Sequence, residues 1–390
     1  MSSSKSPAAR AAVPPADVLV VGAGPAGLAV GACLVRSGLR PILLEKGDVP
    51  GWSWACHYES LRLHTPRRSS SLPFFPLPPG GTFPSRAEVA DYLVAYARRF
   101  DLDVRTGVDV RRISPGKAGG WIAESPLGPF AARACVVATG ANRLPRRTRL
   151  PGLELFRGPV LHSSSVRNGR ELAGRRVLVA GLGNSGGDLA ADLAAQGARV
   201  SIATGRIGPV LPLRVAGMTW RTATLLVPGA LCAVARRMGA EAAARKASAF
   251  LWTAVQERHA GDLRRCGLPL PSRDEMRDPA LWSRPPFTSE AVLSAIRRGE
   301  IDLLPRLAAL REREALLEGG RVLEIDALLL ATGFRHGLDE ILPGLVAPGD
   351  APVDGPLGGS GLFLCGFAPE LRLIARAART TAAAVERVLR

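Results

Sequence analysis

Residues 156–187 read FRGPVLHSSSVRNGRELAGRRVLVAGLGNSGG, and this stretch decides the fold. Within it, an apolar run at residues 177–180 leads directly into the glycine pattern Gly181-x-Gly183-x-x-Gly186. A strand, a glycine turn and a helix in this order are typical of a dinucleotide-binding unit. The glycines let a pyrophosphate approach the backbone closely, and the helix N-terminus presents free N–H groups to it.

A second glycine pattern of the same type lies upstream, at Gly22-Ala-Gly24-Pro-Ala-Gly27. It follows the apolar run 17–21, and the next apolar run, 40–44, ends at Glu45, 18 residues beyond Gly27. An acid at this place accepts hydrogen bonds from a ribose diol, and its charge repels a 2′-phosphate. The first unit is therefore predicted to bind FAD or NAD rather than NADP. Its candidate cofactor-binding residues are Gly22, Gly24, Pro25, Ala26, Gly27, Glu45 and Lys46.

The second unit lacks this acid. Thr204 stands 18 residues beyond its last glycine, where the first unit has Glu45, and Arg206 follows two residues later. Loss of the acid and gain of a guanidinium accommodate a 2′-phosphate, so NADPH is predicted here, although a chance arginine is an alternative in this Arg-rich chain. The first residues of the helix, Asn184 and Ser185, are expected to donate to the pyrophosphate. The candidate cofactor-binding residues are Gly181, Gly183, Asn184, Ser185, Gly186, Thr204 and Arg206.

Each unit also has an apolar strand that ends in Ala-Thr-Gly. Residues 134–138 lead into Thr139 and Gly140, and residues 327–330 lead into Ala331-Thr332-Gly333. A last apolar run ends at Gly366, before a helix from about residue 370. The duplication predicts an α/β fold with two Rossmann-like dinucleotide-binding domains, the second inserted into the first. The expected boundaries are a disordered tail 1–16, a first domain 17–172 completed by 326–390, and an inserted domain 173–325 with a helical insertion at about 210–300.

Residues 51–84 form a long loop rich in Trp, Tyr, His and Pro, and loops of this length in a compact domain are usually functional. Ser85 and Glu88 then predict a capping box at the start of a helix. Val89, Tyr92, Leu93 and Tyr96 recur at i, i+3, i+4 and i+7, so these aromatic side chains are expected in the core. Short strands near 104–110 and 121–124 are expected to form an antiparallel insertion.

Composition limits the other possibilities. With 390 residues, 47% hydrophobic and 22% charged, the chain is expected to be globular. The net charge of +17 is not accompanied by a nucleic-acid-binding pattern, so no nucleic-acid partner is expected. The six cysteines form no C-x-x-C pair, which favours a reduced, cytoplasmic protein without a metal site. The longest apolar run, 223–235, is too short to span a membrane, but it leaves shallow membrane contact open.

These motifs together resemble the flavin-containing monooxygenases, most closely the branch with the plant YUCCA-type enzymes. The resemblance covers roughly residues 17–370, and FxGxxxH between two nucleotide patterns is its most specific feature. Further matching segments are YESLRLHTP at 58–66, LPFFPLP at 72–78, ATGAN at 138–142, GLGNSGGDLA at 181–190 and LLLATGF at 328–334. The resemblance implies FAD and NADPH as cofactors, with O2 and a small molecule as substrates. The oligomeric state is left open.

The resemblance also implies a reaction. NADPH reduces FAD, O2 adds at flavin C4a, and one oxygen atom passes to the substrate. Either an aromatic α-keto acid such as indole-3-pyruvate is oxidatively decarboxylated, or a nitrogen or sulfur atom is oxygenated. An oxidase or electron-transfer flavoprotein that releases H2O2 is the alternative. Val166 favours the alternative, because the family pattern usually has an aromatic residue or Lys at that position.

Several residue roles follow from the same resemblance. His64 is expected beside the flavin or NADP+, as a catalytic residue, and Asn142 is expected to orient the flavin or nicotinamide. Either could instead be an ordinary loop or turn residue. His162 is expected to organise the linker near NADP, and Trp54 to contact a cofactor or line the substrate pocket. The remaining candidate cofactor-binding residues are Thr139, Gly140, Ala331, Thr332, Gly333 and Gly366.

Overall fold

A computed structural model of the chain describes residues 16–215, 218–219, 241–283, 286–358, 361–367 and 370–390. The predicted tail lies outside the described residues, apart from Ala16, which begins the first strand. The apolar run 223–235 also lies outside them. Within the described parts of the chain, no helix is long and apolar enough to cross a membrane.

Helices and strands alternate through much of the chain. The helices are α1 Pro25–Arg36, α2 Trp52–Ala55, α3 Arg86–Arg99, α4 Asn184–Ala195, α5 Glu241–Ala260, α6 Glu290–Arg297, α7 Leu338–Ile341 and α8 Leu371–Leu389. The strands are β1 Ala16–Val21, β2 Pro41–Leu44, β3 Asp103–Arg105, β4 Arg112–Pro115, β5 Trp121–Ser125, β6 Gly128–Val137, β7 Leu144–Pro145, β8 Val160–His162, β9 Arg176–Ala180, β10 Arg199–Ala203, β11 Arg214–Val215, β12 Met218–Thr219, β13 Ile301–Leu304, β14 Leu307–Leu310, β15 Glu314–Leu317, β16 Val322–Glu324, β17 Ala327–Leu330, β18 Phe334–Arg335, β19 Gly355–Pro356 and β20 Leu362–Leu364.

Two sheets, each with five parallel strands, form the framework. In the first sheet the order β20-β6-β1-β2-β3 is parallel throughout. In the second sheet the order β8-β17-β9-β10-β13 is also parallel. In both, the strand that leads into Ala-Thr-Gly lies next to the strand that leads into the glycine pattern. The predicted α/β fold with two Rossmann-like units is confirmed.

Strand membership corrects the expected domain boundaries. Val160–His162 was placed in the first domain, and Ala327–Leu330 in its completion, but both strands pair within the second sheet. The reason is that β17 needs a hydrogen-bonded neighbour on each side, and β8 and β9 supply them. The chain returns to the first sheet only with β19 and β20.

The predicted antiparallel insertion is correct only in part. β4, β5 and β6 pair in antiparallel fashion, as expected. Asp103–Arg105, however, is a parallel edge strand that pairs with β2. Its crossover from β2 runs through α3, which is the connection that a parallel pair requires.

Helix α3 begins as predicted. The Ser85 hydroxyl accepts a hydrogen bond from the Glu88 amide, and the Glu88 carboxylate accepts one from the Ser85 amide. Tyr92 and Tyr96 are buried in the core of the first unit, so the predicted packing of this face is confirmed. Helix α8 packs its apolar face on the same core, through residues such as Ile374, Ala378 and Val385.

Candidate active site

The two glycine patterns are held by equivalent contacts. A methyl group on Gly22 would lie 2.7 Å from the carbonyl oxygen of Ala138, and one on Gly181 would lie 2.7 Å from that of Ala331. Both glycines have positive φ, 102° and 110° respectively. Each Ala-Thr-Gly turn therefore packs against the first glycine of its own unit. Side chains at either glycine would clash and would also strain the backbone.

The middle glycines, Gly24 and Gly183, differ from the others because no atom lies within 4 Å of a methyl group added to either of them. They lie just before α1 and α4, whose first N–H groups have no partner within the helix. Pro25 begins α1, where its missing N–H costs nothing. The open space and the free donors fit a pyrophosphate at each helix N-terminus.

Glu45 is buried beneath the first glycine turn. Its two carboxylate oxygens accept hydrogen bonds from the amides of Ala23, at 2.9 Å, and Gly47, at 3.0 Å. Each oxygen retains a lone pair that can accept a bond from a ribose hydroxyl. The neighbouring Lys46 is exposed. This arrangement fits a nucleotide that has no 2′-phosphate, such as FAD.

Three other segments meet at this glycine turn. The Gly51 amide donates to the carbonyl of Ala23 at 2.8 Å, which holds α2 and Trp54 beside the turn. A methyl group on Gly366 would lie 2.2 Å from Cβ of Ala26, so the end of the last strand contacts the start of α1. The buried hydroxyl of Thr139 has no hydrogen-bond partner among the described residues. An unpartnered hydroxyl beside the turn fits a bound polar group such as the flavin nucleotide.

The acid-free corner of the second unit contains two arginines. Thr204 is buried after β10, and the exposed Arg206 forms an ion pair with Glu275 at 2.9 Å. The Arg306 side chain lies over Gly205, where an added methyl group would be 2.6 Å from its Cδ. Arg306 was not among the residues predicted from the sequence. Parallel pairing of β10 with β13 brings residues 204–206 and 306 to the same sheet edge, and strand order would have indicated this.

At the start of α4, the side chain of Asn184 is engaged within the protein. Its side-chain amide donates to the carbonyl of Pro286 at 3.0 Å, and its carbonyl accepts from the amide of Thr288 at 2.9 Å. The side chain thus holds the segment before α6, and only the backbone of Asn184 remains for a pyrophosphate. Ser185 and Gly186 follow in the first turn, and a methyl group on Gly186 would lie 2.4 Å from the carbonyl oxygen of Gly181.

The FxGxxxH motif connects the linker to β17. Phe156 is in the core, and a methyl group on Gly158 would lie 2.3 Å from the carbonyl oxygen of Asp326. His162 Nε2 donates to the carbonyl of Gly333 at 3.1 Å, and Nδ1 accepts from the amide of Ser164 at 3.1 Å. Burial lowers the pKa of His162, so the neutral form is favoured. Both ring nitrogens thus serve the protein and position the second Ala-Thr-Gly turn.

The two Ala-Thr-Gly turns have similar glycines but differ in their hydrogen bonds. Gly140 and Gly333 have positive φ and open space where a side chain would begin. The Thr332 hydroxyl donates to the carbonyl of Arg146, so the second turn is tied to the segment after the first. Asn142 lies on an exposed part of that segment.

A set of hydrogen bonds joins the long loop 51–84 to the second unit, and we call it the junction network: Tyr58, His64, Asn184, Asp188 and Thr288. The Tyr58 hydroxyl donates to Asp188 at 3.0 Å, and His64 Nδ1 lies 2.8 Å from the Thr288 hydroxyl. The Asn184–Thr288 bond closes the set. The network brings His64 to the start of α4, where the second unit presents its helix N-terminus.

Burial controls the ionisation of this network. It lowers the pKa of His64, and the charge of Asp188 offsets part of that decrease. Burial also raises the pKa of Tyr58, and the charge of Asp188 raises it further. The imidazole is therefore neutral and the phenol keeps its proton at neutral pH. Thr288 and Tyr58 are almost fully buried, at 1% and 2% exposure, so little water reaches these bonds.

Val166 lies in the core of the second unit. It is 5% exposed and belongs to the same apolar cluster as Tyr58. Its apolar side chain therefore packs in the interior and does not by itself indicate an oxidase.

The comparisons with known proteins identify the family. Residues 19–208, which include both glycine patterns, match the family described as pyridine nucleotide-disulphide oxidoreductase. The chain is 32% identical over 324 residues to indole-3-pyruvate monooxygenase YUCCA1 of Oryza sativa subsp. japonica, covering 82% of this chain and 77% of that protein. It is 30% identical over 329 residues to indole-3-pyruvate monooxygenase YUCCA6 of Arabidopsis thaliana, covering 82% and 76%.

Solved structures support the same assignment. A double-mutant form of the flavin monooxygenase from Stenotrophomonas maltophilia superposes with a TM-score of 0.71 at 26% identity, covering 96% of this chain and 98% of that one. The predicted oxidoreductase with FAD and NADPH as cofactors is confirmed by these relatives. The chain belongs to the flavin monooxygenase family.

Proposed function

We propose that this enzyme oxidatively decarboxylates an aromatic α-keto acid such as indole-3-pyruvate. One keto acid, O2, NADPH and a proton would give the acid shortened by one carbon, CO2, water and NADP+. The printed names of the relatives support this substrate class. The observation in the structure that carries the proposal is the junction network, since it connects the loop of the FAD unit directly to the helix of the NADPH unit.

We propose that the FAD site comprises the first glycine turn, Glu45, Thr139 and Gly366. Glu45 is already oriented by two backbone amides, so it can accept the ribose hydroxyls without reorganisation. Bound FAD supplies an electron acceptor for NADPH and a centre that reacts with O2. The protein supplies the placement.

The NADPH site is proposed at the second glycine turn, with Thr204, Arg206 and Arg306 at the 2′-phosphate. Arg206 follows Gly205 in the chain and the Arg306 side chain lies over it, so the two arginines offer the charge and the donors that a phosphate monoester binds. Arg206 would exchange its exposed ion pair with Glu275 for this phosphate. Such an exposed pair contributes only about 0–1 kcal/mol, so the exchange is easy.

His64 is the proposed catalytic side chain. Its Nδ1 is engaged by Thr288, and no bond to Nε2 is found among the described residues, so Nε2 can serve a bound group. A neutral imidazole can donate or accept a hydrogen bond there without adding a buried charge. Tyr58 and Thr288 are positioning residues, because Tyr58 ties the loop to Asp188 of α4 and Thr288 holds the ring of His64.

The test uses the FAD-loaded enzyme with NADPH, isotopically heavy O2 and, in turn, indole-3-pyruvate, a tertiary amine and a thioether. We expect CO2 release equal to NADPH consumption with the keto acid, and one heavy oxygen atom in the shortened acid. A heavy atom in the amine or thioether product, with the keto acid inert, would overturn the substrate class. Stoichiometric H2O2 with all three would instead favour an oxidase.

The proposed location is the cytoplasm. All five cysteines in the described residues are free thiols, as is usual in a reducing compartment. Fractionation of cells that express the protein would test this, and recovery from a secreted fraction would contradict it.

A further inference from the structure

One face of the C-terminal helix is a row of arginines. Arg372, Arg376, Arg379 and Arg387 follow one another at i, i+4, i+7 and i+15, and all four are exposed. This spacing places them on one side of α8, which is about 28 Å long at 1.5 Å per residue. The opposite face is buried against α1, so the row is fixed outward. We call these four residues the basic row.

The charge of the basic row is not balanced locally. No ion pair joins any of its four arginines to an acid within the described parts of the chain. The nearest acid on the helix, Glu386, is paired with Arg390. Many other arginines in the described parts of the chain form ion pairs. These four instead present uncompensated positive charge to the solvent.

An exposed aromatic ring lies beside the basic row. Phe74 is 47% exposed and has a φ of 65°, a left-handed conformation that a bulky L-residue rarely adopts. Its ring lies between two guanidinium groups, with the Arg36 carbon 4.6 Å and the Arg379 carbon 5.0 Å from the ring centre. Strain at a non-glycine residue is often found where the surface has a function.

The same residues border a surface cavity. It has a volume of about 220 Å³ and lies between the end of α1 and α8. Its lining includes Arg36, Ser37, Phe74 and Arg379. The Ser37 hydroxyl already donates to the carbonyl of Cys33 at 3.2 Å, so the two arginines are the groups available to a phosphate. The cavity also includes Glu386, which is the acid already paired with Arg390.

We propose that this face docks on an anionic phospholipid bilayer. The basic row lies along the surface, a lipid phosphate occupies the cavity, and the Phe74 ring enters the headgroup region. The combination favours lipid over an acidic protein, because an exposed aromatic ring among arginines suits an interface that is anionic outside and apolar beneath. The cavity lies at the C-terminal end of α1, about 18 Å along that helix from the first glycine turn, so a lipid phosphate bound there leaves the turn open. The proposal does not depend on the substrate.

The test is co-sedimentation of the FAD-loaded enzyme with phosphatidylcholine vesicles, with and without about 30% phosphatidylglycerol. Wild type is expected to bind only the anionic vesicles, and to be released when salt is raised from about 0.05 to 0.3 M. The double variant Arg376→Gln/Arg379→Gln should bind about thirtyfold more weakly, at roughly fivefold per arginine. Equal binding to neutral vesicles would overturn the proposal.

A matched control separates this face from total charge. Arg199→Gln/Arg321→Gln removes two exposed arginines elsewhere, at the same net charge, and should bind as wild type. An equal loss in this control would overturn the proposal. Phe74→Gly relieves the left-handed strain, so the variant should keep its thermal stability and flavin content while its binding to vesicles weakens. Unchanged binding would show that the Phe74 ring does not anchor the protein in the membrane. Retention on polyglutamate beads without vesicle binding would reassign the face to an acidic protein.

Discussion

At the scale of the residue, Glu45 and Thr204 show how one position selects between two nucleotides. We predict that Arg206→Ala and Arg306→Ala each raise the KM for NADPH about tenfold, because each removes a charged hydrogen bond of about 1.5–3 kcal/mol, partly replaced by water. The KM for NADH should not change, since NADH lacks the 2′-phosphate. Steady-state kinetics with both cofactors measure this.

The control for these variants is Arg199→Ala, at the opposite end of β10. It removes the same charge from the second unit, away from the proposed phosphate site, and should leave both KM values as they are. A variant that weakens NADH and NADPH equally would show that the arginine acts on the structure rather than on the phosphate.

At the scale of the element, the long loop 51–84 depends on its contacts with α4. We predict that Tyr58→Phe, which removes only the hydroxyl bonded to Asp188, increases H2O2 release per NADPH several-fold and lowers the free energy of unfolding by about 1 kcal/mol. The loop loses its side-chain bond to Asp188 of α4 and keeps the bond between His64 and Thr288, so water gains access to the junction network. Peroxide and NADPH assays on the FAD-loaded enzyme measure the effect.

Tyr96→Phe is the matched variant. Its hydroxyl donates to the carbonyl of Pro73 at 2.7 Å, within the first unit and away from α4. It should cost similar stability and leave peroxide release at the wild-type level. If both variants raised peroxide release alike, the junction network would have no special role.

At the scale of the whole molecule, four of the five histidines have a pKa that is shifted in the same direction. The pKa values of His57, His64, His162 and His259 are all lowered, in each case mainly by burial. The unfolded chain therefore binds more protons than the folded one below the ordinary histidine value of about 6.5. We predict that the free energy of unfolding is level from about pH 8 to 7 and falls below that, by up to about 1.4 kcal/mol per pH unit for each histidine.

Urea unfolding of the FAD-loaded enzyme across this range measures the slope. Repulsion among positive charges also grows at low pH, but high salt screens it and leaves burial unaffected. The slope should therefore persist at about 0.5 M salt. Replacing His57 with Asn should reduce it, and a slope that vanishes in salt would contradict the role of the buried histidines.

The sequence by itself determined the features that depend on neighbouring residues. Both strand–glycine–helix units, the capping box of Ser85 and Glu88, and the choice of an acid or a threonine after the second strand all arise within about twenty residues. Backbone sterics and local hydrogen bonds are sufficient to specify them.

Tertiary structure alone decided which distant residues meet. Tyr58 bonds to a residue 130 positions away and His64 to one 224 positions away, and Arg306 joins Arg206 only because β13 pairs with β10. Val160–His162 belongs to the second sheet for the same reason. These contacts depend on strand order and on packing across the core, for which a single chain carries no local pattern.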